Sequence, residues 1–246
     1  MHLQELAKAG ESLFKIRGKY LNWVIISSGL IAYLRQDSGP FESANADMGW
    51  FWAAFAVAST GALFRILTSG HAALGTSGVT KQGAVAAELN TTGPYSLVRN
   101  PLYVGRILNF TGIAMLSGSW EFGMFIMFIS ILVYERISVY EEAFLLTEFP
   151  ESHAKWAKDV PFLLPRFRGW VKPKYPFWIR RCIKREDKKV VSLFFAVVLC
   201  DFASRGFDIS KLPEFPIWYI LWAIVYILYL VSRSLRKFTK TFDGIS

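Results

Sequence analysis

Apolar positions gather into six runs along the chain, at 20–34, 49–67, 102–116, 120–134, 190–203 and 217–232, separated by polar stretches. Each run reads as a membrane-crossing helix. Several are shorter than the roughly 20 residues needed to cross about 30 Å of hydrocarbon, so their ends are expected to recruit flanking Tyr, Trp, Lys and Arg. The third and fourth runs are separated only by Ser117-Gly118-Ser119, which predicts a tight helical hairpin. The polar segments 68–101 and 135–189 fall on one side of the resulting bundle. The predicted fold is all-α: a polytopic membrane bundle of about six transmembrane helices.

Composition supports a membrane protein. The chain has 246 residues, 53% of them apolar, with 9 Trp, 10 Tyr and 21 Phe; its mean hydropathy is +0.31. That aromatic content exceeds what one soluble core of this size buries. The first run follows Lys8, Lys15, Arg17 and Lys19, a basic opening too long, and without a small-residue cleavage site, for a removable signal peptide. A net charge of +9 raises the question of nucleic acid, but the basic residues flank apolar runs, so a membrane partner is expected instead. With the N-terminus inside, outer loops hold only Arg35, Arg205 and Lys211 of the 28 basic residues. This positive-inside bias predicts that both termini and both polar segments are cytoplasmic. Arg65, Arg106 and Asp201 are ionisable residues inside the runs, and all three are expected near span ends, reaching the interface. Two cysteines, Cys182 and Cys200, supply neither a disulfide framework nor a zinc site.

Two segments carry candidate chemistry. The first runs from Thr92-Gly93-Pro94-Tyr95 to Arg99-Asn100-Pro101-Leu102-Tyr103. Its turn formers shape a loop that docks onto a helix start, because Gly93 permits positive φ and Pro101 biases Asn100 away from helix. A helix N-terminus favours a carboxylate or phosphate, although a capping turn without a ligand fits the composition equally. In the second segment, Ile137, Tyr140, Phe144 and Leu145 recur at helical spacing, which continues the fourth helix to Pro150. On it Glu141 and Glu142 point about 100° apart, so one pocket is readily faced by only one of them. A solvated glutamate pair is the ordinary alternative. No histidine stands at metal spacing from them, and no metal site is expected. Serine-hydrolase, Walker-type and Rossmann glycine signatures are missing from the sequence.

Taken together in order, Thr92-Gly93-Pro94-Tyr95, Arg99-Asn100-Pro101-Leu102-Tyr103-Val104-Gly105, Glu141-Glu142 and the closing Val160-Pro161 to Leu164-Pro165-Arg166 resemble the isoprenylcysteine carboxyl methyltransferase and phospholipid methyltransferase superfamily. The resemblance covers a core at 68–166, followed by a basic segment at 166–189 and two further helices at 190–246, within one domain of 1–246. It implies an integral membrane enzyme that uses S-adenosylmethionine on the cytoplasmic side. Tyr95, Asn100, Pro101, Leu102 and Tyr103 would line the cofactor, Glu141 would take its amino group, and Glu142 would stand in the same site. Asn100 occupies the place of the family's usual histidine. The family's substrate-side arginine would fall at Ile137, one position from Arg136, which makes Arg99, Arg106 and Arg136 the candidates for contact with the acceptor.

Thr76-Ser77-Gly78, Leu89-Asn90-Thr91 and Tyr134-Glu135-Arg136-Ile137 look most like the bacterial branch that contains lipid A phosphate methyltransferases. That implies an inner-membrane location and an anionic lipid phosphate as the acceptor. The basic residues between Arg166 and Lys189, with Trp170, Tyr175 and Trp178 among them, are able to receive such a headgroup or simply to rest on anionic lipid. Other readings are phospholipid N-methylation, isoprenylcysteine carboxyl methylation, an NADPH-dependent sterol-type reductase and a non-catalytic lipid-binding protein.

Overall fold

The computed structural model of the chain describes residues 2–36, 39–41, 43–76, 86–212, 217–242 and 244. Ser77 and Gly78 of the Thr76-Ser77-Gly78 motif lie outside the described residues. Among the described residues the fold is all-α, with seven α-helices and no strand. They are α1 (His2–Leu34), α2 (Ala44–His71), α3 (Pro101–Met115), α4 (Trp120–Glu148), α5 (Pro150–Asp159), α6 (Ile179–Ser204) and α7 (Ile217–Phe238). Short 3-10 turns occupy Gly93–Ser96 and Ile209–Lys211.

Each apolar run falls in its own helix, α3 ending one residue short of its run. Three of these helices, α2, α4 and α7, are long and apolar enough to cross a membrane by themselves. The outside carries large exposed apolar side chains such as Trp23, Trp52, Leu63, Phe128, Ile227 and Leu228. Such a surface suits lipid better than water. The core lies where α1, α3, α4 and α6 meet, around Val24, Phe110, Ile113, Tyr134, Ile137 and Ala196.

The α3–α4 hairpin closes as the sequence predicts. Gly118 adopts φ +76°, and the Ser119 hydroxyl accepts from the Phe122 amide at 3.1 Å, capping α4. With 29 residues, α4 is about 43 Å long, more than the hydrocarbon thickness. Its last turns therefore reach past the apolar layer, and they carry Glu141 and Glu142.

Helices α2 and α3 pack through small residues. A Cβ on Gly61 would collide with the Gly105 carbonyl oxygen and the Asn109 nitrogen, and one on Gly112 with the Ala58 nitrogen. The Asn109 amide donates to the Ala58 carbonyl at 3.0 Å across the seam. In membrane helices this close approach gains dispersion contacts and places interhelical hydrogen bonds. Replacing Gly112 by Leu is expected to cost about 1–3 kcal/mol through overpacking. It would appear as a lower unfolding midpoint in detergent, whereas Gly49→Leu, with no neighbour within 4 Å of the added Cβ, should not lower it.

Candidate active site

The loop before α3 is fixed from two sides. Gly93 adopts φ +61° to open the 3-10 turn, and Asn100 stays non-helical ahead of Pro101, the first residue of α3. The closing segment then hydrogen-bonds the loop through its backbone. The Arg99 amide donates to the Pro161 carbonyl at 2.9 Å, the Arg166 amide to Leu97 at 3.0 Å and the Gly93 amide to Val171 at 2.9 Å. The Trp156 indole donates to the Tyr95 carbonyl at 3.1 Å. The late Val160-to-Arg166 motif is thus the outer wall of the early loop.

From the other side α4 holds the loop through Glu142. Its carboxylate accepts from Arg99 Nη1 at 2.6 Å and from Asn100 Nδ2 at 3.0 Å. Asn100 Nδ2 also reaches the Phe162 carbonyl at 3.2 Å, and the Arg99 guanidinium lies 5.2 Å from the Phe162 ring centroid. Glu141, one residue earlier, turns away from this tether. Burial pushes its carboxyl up to about 7, against a hydrogen bond donated by the Tyr103 hydroxyl and the charge of Arg17. Both glutamates are half-buried, so neither belongs to a solvated face.

Tyr103 stacks on Tyr134 with centroids 4.9 Å apart and planes 23° from parallel. The Tyr95 hydroxyl is pushed up to about 12, first by burial and then by the Glu141 charge, so it remains a neutral donor. Pro101 is fully buried, and the Leu102 carbonyl accepts from Arg65 Nη1 at 2.8 Å. The structure therefore brings Tyr95, Asn100, Pro101, Leu102, Tyr103, Glu141, Glu142, Arg99 and Arg106 to one end of the bundle. Arg136 is not brought there: its Nη1 bonds the Leu132 carbonyl of its own helix at 2.8 Å, and Glu135 lies 3.7 Å away.

Arg65 departs from the expectation that intramembrane arginines reach toward the interface. It is 6% exposed and pairs with Glu186 of α6, Nη2 to Oε1 at 2.9 Å and Nε to Oε2 at 3.0 Å. Burial alone would raise the Glu186 pKa, but Arg65 and Lys189 outweigh it and hold it at about 2. Arg181, also fully buried, donates to the Ala72 and Ala73 carbonyls and so caps the end of α2. Sequence reasoning missed Glu186, and it grouped Arg181 with the basic residues able to receive a headgroup, whereas the fold buries that side chain against backbone carbonyls. The available signal was Arg65 itself, an arginine in an apolar run that requires a carboxylate.

His153 is 5% exposed, and its Nε2 has no hydrogen-bond partner among the described residues. Burial, and then the charge of Arg99, hold its pKa below the ordinary 6.5. Because the folded form resists protonation, its stabilising contribution is present above pH about 6.5 and lost as pH falls through the depressed folded value. The unfolding midpoint should decline as pH drops below about 6.5, and His153→Gln should flatten that decline; an identical profile would dismiss the assignment.

Two surface depressions lie away from these residues. One of about 220 Å³ is lined by Ala72, Leu74, Glu88, Tyr175 and Trp178 among others. The second, of about 490 Å³, follows the α4–α5 joint from Glu148 to Lys155. Neither includes Tyr103, Arg106 or Glu141.

A loop locked against a glutamate-bearing helix at the end of a helical membrane bundle is the arrangement that the superfamily resemblance leads one to expect. Residues 50–152 match the family model described as phospholipid methyltransferase. This match, running from α2 into α5, bears out the resemblance to the isoprenylcysteine and phospholipid methyltransferase superfamily. The chain is also similar to the cobalt-zinc-cadmium resistance protein CzcN of Cupriavidus metallidurans, 36% identical over 84 residues, 33% of this chain and 38% of that protein. A second relative is the nickel-cobalt-cadmium resistance protein NccN of Alcaligenes xylosoxydans xylosoxydans, 32% identical over 84 residues, 34% of this chain and 39% of that protein. The matched stretch thus spans under two-fifths of either relative. No solved structure matches the chain.

Proposed function

We propose that the protein is an S-adenosylmethionine-dependent membrane methyltransferase that methylates an oxygen of an anionic lipid headgroup, a phosphate. Six spans, with both termini and the site on the cytoplasmic side of a bacterial inner membrane, complete this reading. The observation that carries it is the division of labour between the adjacent glutamates. Glu142 is consumed in holding Arg99 and Asn100, which leaves Glu141 beside Tyr103 to meet a cation.

The residues fit the cofactor's chemistry. Glu141 suits its ammonium group, and the stacked Tyr103–Tyr134 faces suit a sulfonium. The bound cofactor supplies an electrophilic methyl group. Displacement at that methyl needs alignment and exclusion of water more than a protein nucleophile. Tyr95, Asn100, Pro101, Leu102 and Tyr103 form the cofactor-side wall in this assignment, and Arg106 is the substrate-side cation. Arg99 acts through Glu142 instead. Methylating a phosphate removes negative charge from the headgroup and weakens its attraction for divalent cations. The metal-resistance names of the two relatives are compatible with such a product.

The test is to incubate purified protein with methyl-tritiated S-adenosylmethionine and a total lipid extract, then separate the lipids. Label in a phosphate-bearing lipid is expected. Because phosphate needs no general base, the rate should level off above pH about 8, once the Glu141 carboxyl, pushed up to about 7 by burial, is ionised; a steep rise toward the amine pKa, with label in an amine headgroup, would move the assignment to phospholipid N-methylation.

A further inference from the structure

One charged cluster joins the family-matched residues to a helix outside them. Arg65 of α2, Arg106 of α3 and Glu186 with Lys189 of α6 lie close enough for their charges to act on one another. One carboxylate serves two of these three cations there. Glu186 Oε1 accepts from Arg65 Nη2 at 2.9 Å, Ser69 Oγ at 3.0 Å and Lys189 Nζ at 3.0 Å, while Oε2 takes Arg65 Nε at 3.0 Å. Lys189 Nζ also donates to the Arg185 carbonyl; burial and the Arg65 charge bring its pKa down to about 7, and its protonated form has one of three N–H groups left over. Arg106 forms neither a hydrogen bond nor an ion pair with any described residue, and its guanidinium lies 5.4 Å from the Phe110 ring centroid. Arg65 binds the Leu102 carbonyl one helical turn before Arg106, which places the two guanidinium-bearing chains on one face of the α2–α3 seam.

A half-buried excess of cations is costly unless an anion joins it. A phosphate monoester matches the open donors, since its oxygens accept from a planar guanidinium and an ammonium together. We propose that Arg106 and Lys189 form the subsite for the acceptor's phosphate, and that Glu186 is a positioning residue that holds Arg65 and Lys189 beside it. Helix α6 therefore completes the substrate site. The phosphate's role as methyl acceptor rests on the methyltransferase reading; the anion subsite rests on the cluster alone.

The probe is a fluorescent phosphatidic acid, titrated onto the full-length protein in detergent, with S-adenosylmethionine affinity measured by calorimetry on the same samples. Arg106→Gln and Lys189→Gln are each expected to weaken phosphatidic acid binding about tenfold or more, the loss of a charge-assisted hydrogen bond. Lys189→Arg should restore most of it, and Lys188→Gln, on an exposed neighbour, should change nothing. Cofactor affinity should hold in all of them. Unchanged phosphatidic acid binding in both Gln variants overturns the subsite even where wild type methylates lipid. A fall in cofactor affinity instead assigns the cluster to the cofactor's carboxylate and also overturns it. Inorganic phosphate that competes as well as the lipid makes the ligand free phosphate and removes the lipid from the proposal. If wild type neither binds cofactor nor methylates lipid, yet the lipid-binding losses appear, the subsite stands and the methyltransferase reading fails. Should Arg106→Gln not fold, Lys189→Gln carries the comparison, because that side chain is 27% exposed.

Discussion

Glu141→Gln is expected to weaken S-adenosylmethionine binding about 10- to 150-fold, the cost of one or more hydrogen bonds to a charged group, while the unfolding midpoint stays unchanged. The reason lies in what each glutamate already touches. Glu142 is satisfied within the protein, by Arg99 at 2.6 Å and Asn100 at 3.0 Å. Glu141 has the Tyr103 hydroxyl nearby but makes no salt bridge with a described residue. A carboxylate held half-buried without a fixed counter-charge favours a cationic ligand, and the glutamine isostere keeps the shape while removing the charge. Glu142→Gln should give the opposite pattern, with a lowered midpoint as Arg99 loses its partner and a smaller, indirect effect on binding. Calorimetric titration beside thermal unfolding separates the two. Equal losses of affinity in both variants would refute the division between them.

Glu186→Gln is expected to destabilise the fold by about 3–5 kcal/mol, because it leaves Arg65 buried without a counter-charge. The pair is 7% and 5% exposed at the two side chains, so water cannot take over. Replacing both partners, as Arg65→Met with Glu186→Met, should recover much of that loss, since an apolar pair needs no desolvation of charge. With its folded pKa held at about 2, the Glu186 contribution is present above the ordinary carboxylate value and is lost only as pH falls toward 2. Over pH 5–8 this pair should add no slope to the unfolding midpoint. A Glu186→Gln protein as stable as wild type would show that α6 is not anchored through Arg65.

The two sets of variants also show where sequence reading stops. The apolar runs at 120–134 and the helical spacing of Ile137, Tyr140 and Phe144 are local patterns, and they became one continuous α4. Ser117-Gly118-Ser119 and Gly93-Pro94 are local backbone chemistry, and they became the hairpin and the 3-10 turn. The adjacent glutamates were legible as a pair, but which of them faces which partner was not. Arg136 stood out by its place in the motif, yet the helix rotation turns it to its own carbonyl.

The sequence by itself determined the helices, the turns that join them and the residues able to bear the chemistry, because apolar periodicity, glycine φ freedom and proline geometry act over a few residues. Only the tertiary structure decided that Glu142 ties the loop while Glu141 is left beside Tyr103. It alone joined Arg65 to Glu186, 121 residues away in the chain. Charges on different helices meet according to how those helices rotate and cross, and here the crossing is set by the close contact of Gly61, Gly105 and Gly112 across the α2–α3 seam.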